Sequence, residues 1–380
     1  MQTVEATEMS DIARPLMEPV TMGPLRLRNR VAMAPMTREM APSGVPTAAM
    51  ADYYASRAEG GAGLIVTEGC PPDQTGAFSH RVPVLWGEDA LAGWSRIVDR
   101  VHAHGSAIMI QLWHVGAFTP SLIGMEDGFA PDMRRVSPSG LAAPGRPFGA
   151  AITTGEIDAT IRAFAEACRT AQTLGFDGAE FHAAHGYLPD QFFWPGTNDR
   201  TDGYNGDLLA RTRFAREMLQ AARAEVGPDF ALSLRVSQWK QLDYTAQNAT
   251  TPAELADWLG PLAEAGADFF HVSTRRFWEP AFEGDERTLA RLVREVTGRP
   301  TIAVGSVTLS NDLKSQNGKI KAAPAPEQIA RIAEGLRQGE FDMIAVGRAM
   351  LANPDWANKV ARGDWHALEA FDRRLLDELV

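Results

Sequence analysis

Short apolar, β-branched runs alternate along the chain with longer amphipathic stretches of helical period, and the sequence contains eight such alternations. The runs, four to seven residues long, predict strands at Arg30–Met36, Gly63–Glu68, Ala107–Leu112, Gly178–His182, Ala231–Val236, Asp268–Val272, Thr301–Val304 and Met343–Val346. Alternating strands and helices are typical of an α/β protein with a parallel sheet. Eight repeats predict a (β/α)8 TIM barrel, a single domain with long βα loops.

Helix start and stop signals support this division. Thr251 places a capping hydroxyl before Pro252 at the first helical position, and Glu254 follows in the first turn. Glycine, the residue best suited to end a helix, follows several of the amphipathic stretches. The predicted helices cover about 48–59, 88–103, 156–174, 208–225, 253–265, 286–297, 326–338 and, less regularly, 354–375.

No linker, repeat or low-complexity tract divides the chain, so we predict one domain over residues 15–375 after a flexible tail at residues 1–14. Two insertions interrupt the alternation. Residues 113–153 are rich in Pro and Gly and separate the third strand from its helix. Loops of that length inside a compact domain are usually functional, and we expect this one to wall the active site. Residues 310–325 form a polar insertion after the seventh strand.

Composition and charge exclude several classes of protein. The 380 residues are 45% hydrophobic and 22% charged, as expected of a folded protein with a sizeable core. The 37 basic and 48 acidic side chains give a net charge of -11 without any Lys/Arg cluster, so nucleic acids and membrane surfaces are poor partners. Cys70 and Cys168 form no C-x-x-C motif, which excludes an iron-sulfur cluster or zinc ribbon and indicates the cytoplasm. No signal peptide or spanning helix is predicted, and a homo-oligomer is left open.

Polar side chains follow the predicted strands, where a TIM barrel carries its active site. After the fourth strand come His182, His185 and Tyr187, which converge on one pocket if the chain turns at Gly186. We prefer the interpretation that two imidazole donors polarise a substrate carbonyl while the phenol acts as an acid. Two alternatives stay open: histidines bonded to neighbouring carbonyls, and a metal-dependent TIM-barrel hydrolase that uses His114, His182 and His185.

Glycines follow the seventh and eighth strands, as Gly305-Ser306 and Gly347-Arg348. Glycine lets backbone amides approach an anion, and a guanidinium binds phosphate through two parallel hydrogen bonds, so these strand ends predict a phosphate site. The alternative is that each glycine only closes a tight βα turn. No G-x-G-x-x-G motif follows a strand, so any dinucleotide binds without a Rossmann domain.

Several longer motifs contain these strand ends, and they occur in a fixed order along the chain. They are Arg28-Asn29-Arg30-Val31-Ala32-Met33-Ala34-Pro35-Met36-Thr37-Arg38, Thr67-Glu68-Gly69, Gln111-Leu112-Trp113-His114, His182-Ala183-Ala184-His185-Gly186-Tyr187-Leu188, Asn198-x-Arg200-Thr201-Asp202-x-Tyr204, Arg235, Gly305 and Val346-Gly347-Arg348. Taken in order, the set resembles the Old Yellow Enzyme family of FMN-dependent NAD(P)H oxidoreductases. The resemblance covers essentially the whole chain.

The resemblance implies a TIM barrel that binds FMN non-covalently at the top of the strands, takes hydride from NAD(P)H and reduces an activated alkene such as an α,β-unsaturated carbonyl compound. It implies that the flavin ring contacts Pro35, Met36, Thr37, Gly69, Gln111 and Arg235, and that its phosphate contacts Gly305, Ser306, Gly347 and Arg348. It assigns the substrate oxygen to His182 and His185, and the proton for the α-carbon to Tyr187.

Some positions depart from the family pattern. Ala117 stands where the family often has Arg, and Tyr204-Asn205-Gly206-Asp207 stands where a Tyr-Gly-Gly-Ser run is common. Thr37 and His185 combine features of different subgroups. The physiological alkene and the choice between NADH and NADPH are therefore left open by the sequence.

Other interpretations compete with this one. A Schiff-base aldolase needs Lys on a barrel strand, and none of the five Lys falls within a predicted strand, although Lys240 comes closest. A non-catalytic binding barrel is compatible with the fold, because fold does not fix function. In the aromatic segment from Phe269 to Phe282, Trp278 is a candidate for substrate binding, and packing under a loop is the alternative.

Overall fold

Eight parallel strands close into a barrel in the computed structural model, which describes residues 10–123, 133–309 and 325–379. The strands are β1 (Val31–Met33), β2 (Leu64–Cys70), β3 (Ala107–Leu112), β4 (Gly178–His185), β5 (Ala231–Lys240), β6 (Phe269–Ser273), β7 (Thr301–Val304) and β8 (Met343–Val346). Each pairs with its neighbours in chain order, and β8 pairs with β1 to close the sheet. The predicted TIM barrel is confirmed, and β3, β7 and β8 have the predicted bounds.

Five strands differ from prediction at their carboxyl ends, and two of them are only slightly longer: β2 ends at Cys70 instead of Glu68, and β6 at Ser273 instead of Val272. β1 stops at Met33, short of Met36, because Pro35 has no N–H to continue the ladder. β4 extends to His185 and β5 to Lys240, since a bulge after Ala183 shifts the register and the two strands pair again as His185 with Lys240. The expectation that no Lys falls within a strand is therefore wrong.

Helices cover the outside of the barrel. The longer ones are Ala48–Glu59, Glu88–Ala103, Thr154–Thr173, Arg213–Val226, Pro252–Glu264, Leu289–Thr297 and Ala325–Arg337, and the shorter ones are Arg14–Met17, Leu188–Phe193, Leu208–Arg211, Arg348–Ala352 and Trp356–Arg362. The first two of the longer set have the predicted bounds. The prediction of one helix over 354–375 is wrong, because Gly363 adopts a left-handed conformation (φ 72°) that ends the helix.

Threonine caps begin several of these helices, and the cap at Thr251 was predicted from the sequence. The Thr251 hydroxyl accepts a hydrogen bond from the Glu254 N–H. Thr153 and Glu156 form a reciprocal capping box at the start of the helix after β3.

An unpredicted β-hairpin covers the amino-terminal end of the barrel. Val20–Met22 pairs antiparallel with Leu25–Leu27, and Met22 and Leu27 pack into the barrel interior with apolar side chains from the strands. The barrel interior is thereby filled with side chains and closed at its amino-terminal end. The carboxyl ends of the strands are left as the face that carries the polar side chains.

The two ends of the predicted domain need separate description. Residues 1–9 of the predicted tail lie outside the described residues, but Ser10 donates to the Ala361 carbonyl (2.8 Å) and Ala13 is fully buried. Residues 10–14 thus pack on the barrel and differ from the predicted tail. In none of the ranges 10–123, 133–309 and 325–379 is there a helix with the length and apolarity needed to cross a bilayer.

The two predicted insertions are partly described. Within 113–153, Val136–Ser137 pairs with Ala150–Ala151 and Leu141–Ala143 pairs with Arg146–Pro147, so the segment contains small sheets as well as loop. Residues 124–132 of this segment and 310–324 of the second insertion lie outside the described residues.

Candidate active site

The side chains of His182, His185 and Tyr187 come together around the bulge at the carboxyl end of β4. The ring centroids of His182 and His185 are 4.9 Å apart, and the Tyr187 ring lies 4.7 Å from that of His182 and 6.4 Å from that of His185. The chain turns here because His185 (φ 65°) and Gly186 (φ 85°) are both left-handed. The structure brings these three side chains together, as the sequence predicted.

His182 is the most isolated of the three. Its side chain is buried, Nδ1 has no hydrogen-bond partner, and no hydrogen bond joins its ring to another of the described residues. Burial, with positive charge from Arg235, holds the pKa of His182 well below its usual range. The site thus contains a neutral imidazole that needs a partner from a ligand.

His185 is held more firmly. Its Nε2 lies 2.8 Å from the Ser273 hydroxyl at the end of β6, and its ring stacks on Trp239 with centroids 4.2 Å apart. Burial, together with the neighbouring His182, keeps the pKa of His185 well below its usual range. One ring nitrogen is therefore committed to the protein, which the sequence did not predict.

Tyr187 is enclosed by aromatic rings. Trp113 and Phe118 meet it edge to face, with centroids 5.0 and 5.3 Å away. Burial raises the pKa of Tyr187, although a hydrogen bond with the Gln241 side chain opposes the shift. The phenol therefore holds its proton at neutral pH.

A polar network lies beside these rings within the barrel. Gln111 donates to one carboxylate oxygen of Glu180 (2.8 Å), and His271 Nδ1 lies 2.7 Å from the other. Burial disfavours the charged carboxylate, but His271, Arg235 and Gln111 outweigh it and the pKa of Glu180 lies below its usual value. Glu180 is an anion that fixes the orientation of the Gln111 amide.

Arg235 is a buried cation without a protein hydrogen-bond partner. It is 8% exposed, its Nε is buried, and its guanidinium makes no hydrogen bond to any other described residue. A guanidinium in this state calls for acceptors from a ligand. The carbonyl-bearing edge of a flavin ring supplies such acceptors, so the residues present fit FMN.

The other predicted flavin contacts surround the same end of the barrel. After β1, Pro35 is buried, Met36 is half-buried and Thr37 is exposed. Gly69 lies in β2 where a Cβ atom would come within 2.3 Å of the Trp113 ring, so only glycine fits.

The predicted phosphate residues end β7 and β8. At Gly305 a Cβ atom would lie 2.6 Å from the Thr274 carbonyl oxygen. The Ser306 hydroxyl donates to the Arg275 carbonyl (2.8 Å), so its proton is already bonded within the protein. Gly347 and Arg348 directly follow β8, whose neighbour across the barrel seam is β1.

Trp278 and His114 do not join the ring cluster. Trp278 packs edge to face on Phe277 and under the Arg331 guanidinium, which agrees with the packing alternative. His114 accepts from the Gly116 N–H and faces Thr75, and burial lowers its pKa to about 4. In the described part of the chain no three His, Cys, Asp or Glu side chains gather as metal ligands, so the hydrolase alternative is not favoured.

Several functional neighbours escaped the sequence analysis. Trp239, Ser273 and Glu180 were not singled out. Ser273 directly follows the predicted sixth strand, so the rule that found the other strand ends applies to it equally. Trp239 reaches His185 because β5 continues past Val236. This continuation depends on the register shift between β4 and β5.

Comparison with known proteins decides the family. Residues 15–365 match the family model described as "NADH:flavin oxidoreductase / NADH oxidase family". The chain belongs to the Old Yellow Enzyme family. It is 30% identical over 361 residues to 12-oxophytodienoate reductase 7 of Oryza sativa subsp. japonica, covering 90% of this chain and 86% of that protein.

Solved structures agree with this membership. Morphinone reductase in complex with tetrahydroNAD superimposes with a TM-score of 0.77 at 28% identity, covering 95% of this chain and 93% of that one. The Old Yellow Enzyme homologue from Zymomonas mobilis gives a TM-score of 0.75 at 27% identity, covering 96% of each chain. This Old Yellow Enzyme family member is an NAD(P)H-dependent oxidoreductase with FMN as its cofactor.

In this Old Yellow Enzyme family member, the segment after β1, residues 34–38, forms hydrogen bonds with distant parts of the chain. The Arg38 backbone N–H donates to the Glu68 carboxylate (3.0 Å), and the Arg38 guanidinium donates to the carbonyls of Leu375 (2.7 Å) and Glu378 (2.6 Å). Tyr54 also donates to Glu68 (3.3 Å). Burial raises the pKa of Glu68 to about 7.

The raised pKa of Glu68 makes stability depend on pH. The folded protein binds this proton more tightly than the unfolded chain, so the stabilisation is complete below the unfolded pKa and is lost as pH rises to about 7. We expect the melting temperature of wild type minus that of Glu68→Gln to decrease between about pH 5 and pH 8. Thermal melts of both proteins in matched buffers measure it, and a constant difference would contradict the shift.

Proposed function

We propose that the enzyme reduces the C=C bond of α,β-unsaturated carbonyl compounds and similarly activated alkenes, with His182 and His185 binding the carbonyl oxygen and Tyr187 donating the proton. The observation that carries this proposal is the buried His182 imidazole, which has no hydrogen bond to another described residue. Its ring centroid lies 4.7 Å from that of the protonated Tyr187 phenol. When bound, FMN supplies the hydride that it has taken from NAD(P)H. The side chains manage the charge and the proton.

His182 and His185 stabilise the oxygen on which negative charge develops as the β-carbon accepts hydride. Donors placed in advance at such an oxygen are strong catalysts because the buried site does not have to reorganise. The Ser273 hydroxyl donates to Nε2 of His185 in this scheme, so that Nδ1 carries the proton and is the nitrogen that binds the substrate oxygen. The His182 ring makes no hydrogen bond to another described residue, and in this scheme it is the principal donor.

Tyr187 completes the reduction by protonating the α-carbon. Its raised pKa keeps the proton on the phenol until a strongly basic carbon is present. The rings of Trp113 and Phe118 limit water around the hydroxyl and fix the plane of the phenol. The same enclosure favours a flat, apolar substrate over a charged one.

The remaining residues hold the cofactor non-covalently. The flavin ring would be held by Pro35, Met36 and Thr37, and its polar edge by Gly69 and Gln111. Arg235 would supply positive charge to the reduced cofactor. The phosphate would be bound by Gly305, Ser306, Gly347 and Arg348.

Anaerobic stopped-flow measurements test the function. Mixing the purified yellow protein with NADH or NADPH should bleach the flavin absorbance, and a second mixing with 2-cyclohexenone should restore it with formation of cyclohexanone. Bleaching without recovery on enone addition, but with recovery in air, would leave an NAD(P)H oxidase and reject alkene reduction.

Arg348→Ala tests the phosphate assignment. Losing a charged hydrogen bond of about 1.5–3 kcal/mol should weaken FMN binding about ten- to a hundredfold. Titration of the apoprotein with FMN, followed by quenching of flavin fluorescence, measures the change. Arg362→Ala removes an exposed guanidinium from the end of a nearby helix and serves as the control. Equal affinities for the two variants would remove Arg348 from the phosphate site.

A further inference from the structure

Lys240 and Asp190 form an ion pair that is completely buried. The Lys240 Nζ lies 2.6 Å from Oδ1 of Asp190, and neither side chain has any exposed surface. Asn248 donates to the same oxygen (2.9 Å). Burial lowers the pKa of Lys240, but its carboxylate partner opposes the shift. Lys240 is thus bound to a carboxylate inside the protein, which removes it as a Schiff-base nucleophile.

The other oxygen of Asp190 holds the backbone of the catalytic turn. Oδ2 accepts from the Gly186 N–H (2.7 Å), the residue between His185 and Tyr187. Gln191, next to Asp190 in the same short helix, donates its side-chain amide to the Gly186 carbonyl (2.8 Å). The peptide units on both sides of Gly186 are therefore attached to one helix.

Lys240 connects this helix to β5. Its own position in the strand pairs with His185, and the next residue, Gln241, donates its N–H to the His185 carbonyl (3.0 Å). The Ser237 hydroxyl accepts from the His185 N–H (3.0 Å). The salt bridge thus closes a ring of contacts that runs from β5 through Asp190 to the turn and back to β5.

The turn needs such support because its backbone is strained. His185 has φ 65°, a conformation that a side chain with a Cβ atom rarely adopts. Strained residues of this kind persist only where the surrounding structure determines their conformation, and they are frequent at active sites.

We propose that Lys240 and Asp190 are positioning residues, which hold the His185–Tyr187 turn so that the imidazole and the phenol face the substrate. This proposal rests on the catalytic roles proposed above for those two side chains. A buried ion pair is seldom better for stability than apolar residues of the same size, so its retention here calls for a specific role. Small displacements of reacting groups have large kinetic effects, and loss of the pair will move the phenol relative to the α-carbon.

Lys240→Met, which keeps an unbranched side chain one atom shorter and removes the charge, is the main test. We expect the rate of enone reduction per bound flavin to fall about 10²-fold, chiefly in kcat, while hydride transfer from NAD(P)H is unchanged within about twofold. Lys359→Met is the matched control, since Lys359 pairs with Asp355 (2.9 Å) near the surface. A purely structural role would lower the melting temperature and leave both rates per flavin at the wild-type value, which would overturn the proposal.

A double-mutant cycle separates this proposal from the function on which it rests. If Lys240 acts through Tyr187, Lys240→Met should have a much smaller effect in the Tyr187→Phe background than in wild type. Full additivity both with Tyr187→Phe and in the same cycle with His185→Ala would reject the positioning role. A Tyr187→Phe variant with the wild-type enone rate would instead reject the proposed proton donor.

Lys240→Gln protects the test against misfolding. The amide keeps a hydrogen-bond donor for Asp190 without the charge, and per-flavin rates of this variant should lie between those of wild type and Lys240→Met. If Lys240→Met binds no flavin, a wild-type enone rate in Lys240→Gln together with a wild-type rate in Asp190→Asn overturns the proposal.

Discussion

Tyr187→Phe will slow enone reduction about 10²- to 10⁴-fold, the range usual for loss of a general acid. The substitution removes one oxygen and little volume, so the aromatic enclosure by Trp113 and Phe118 is retained. Hydride transfer from NAD(P)H should be unchanged, because no carbon is protonated in that step. Stopped-flow measurement of the two half-reactions separates these effects.

Tyr204→Phe is the matched control for this prediction. The Tyr204 hydroxyl donates to Glu217 (2.7 Å), and its ring packs on Phe192 outside the ring cluster. Both half-reactions should keep their wild-type rates in that variant. If Tyr187→Phe instead loses hydride transfer from NAD(P)H and still reduces enones normally after photoreduction, Tyr187 belongs to nicotinamide binding.

His182→Ala is expected to reduce the enone rate by about 10²- to 10³-fold, corresponding to about 2.7–4 kcal/mol of barrier for one missing donor. The protein should stay yellow, since the imidazole is assigned to the substrate oxygen rather than to the phosphate. His185→Ala should have a smaller effect on the oxygen, because its Nε2 is already bonded to Ser273. Enone titrations of both variants by stopped flow measure the order.

His366→Ala removes an exposed imidazole from a 3-10 turn and is the control for both variants. Its enone rate should equal that of wild type. A His182→Ala enzyme that restores its flavin absorbance with enone at the wild-type rate would make His182 a structural residue.

The sequence predicted the barrel well because the strands of a parallel sheet are buried on both faces and stand out as apolar runs. The same reasoning located His182, which ends such a run, and His185 and Tyr187, which follow it within five positions. It could not locate the support of this turn. The bulge after Ala183 depends on pairing between β4 and β5, and periodicity within one strand contains no information on that register.

Interactions between distant segments also could not be predicted from the sequence. Asp190 and Lys240 are 50 positions apart, and nothing in their local sequence indicates that they meet. Lys240 could be singled out because Lys is rare in this chain, but its carboxylate partner could not be identified from the sequence. Ser273, 88 positions from His185, is a similar case. Trp278 was selected because it lies in an aromatic segment, and the sequence did not indicate that its ring packs on Phe277 and under Arg331.

The bonds of Arg38 also bear on the order in which the protein is completed during synthesis. This residue ends the segment 34–38 after β1, yet its guanidinium donates to the carbonyls of Leu375 and Glu378, which are 337 and 340 positions later. β1 itself pairs with β8, which is likewise made late. A nascent chain with a few barrel units outside the ribosome therefore has the loop without the groups that fix it. We therefore expect stable capture of the cofactor to follow closure of the barrel.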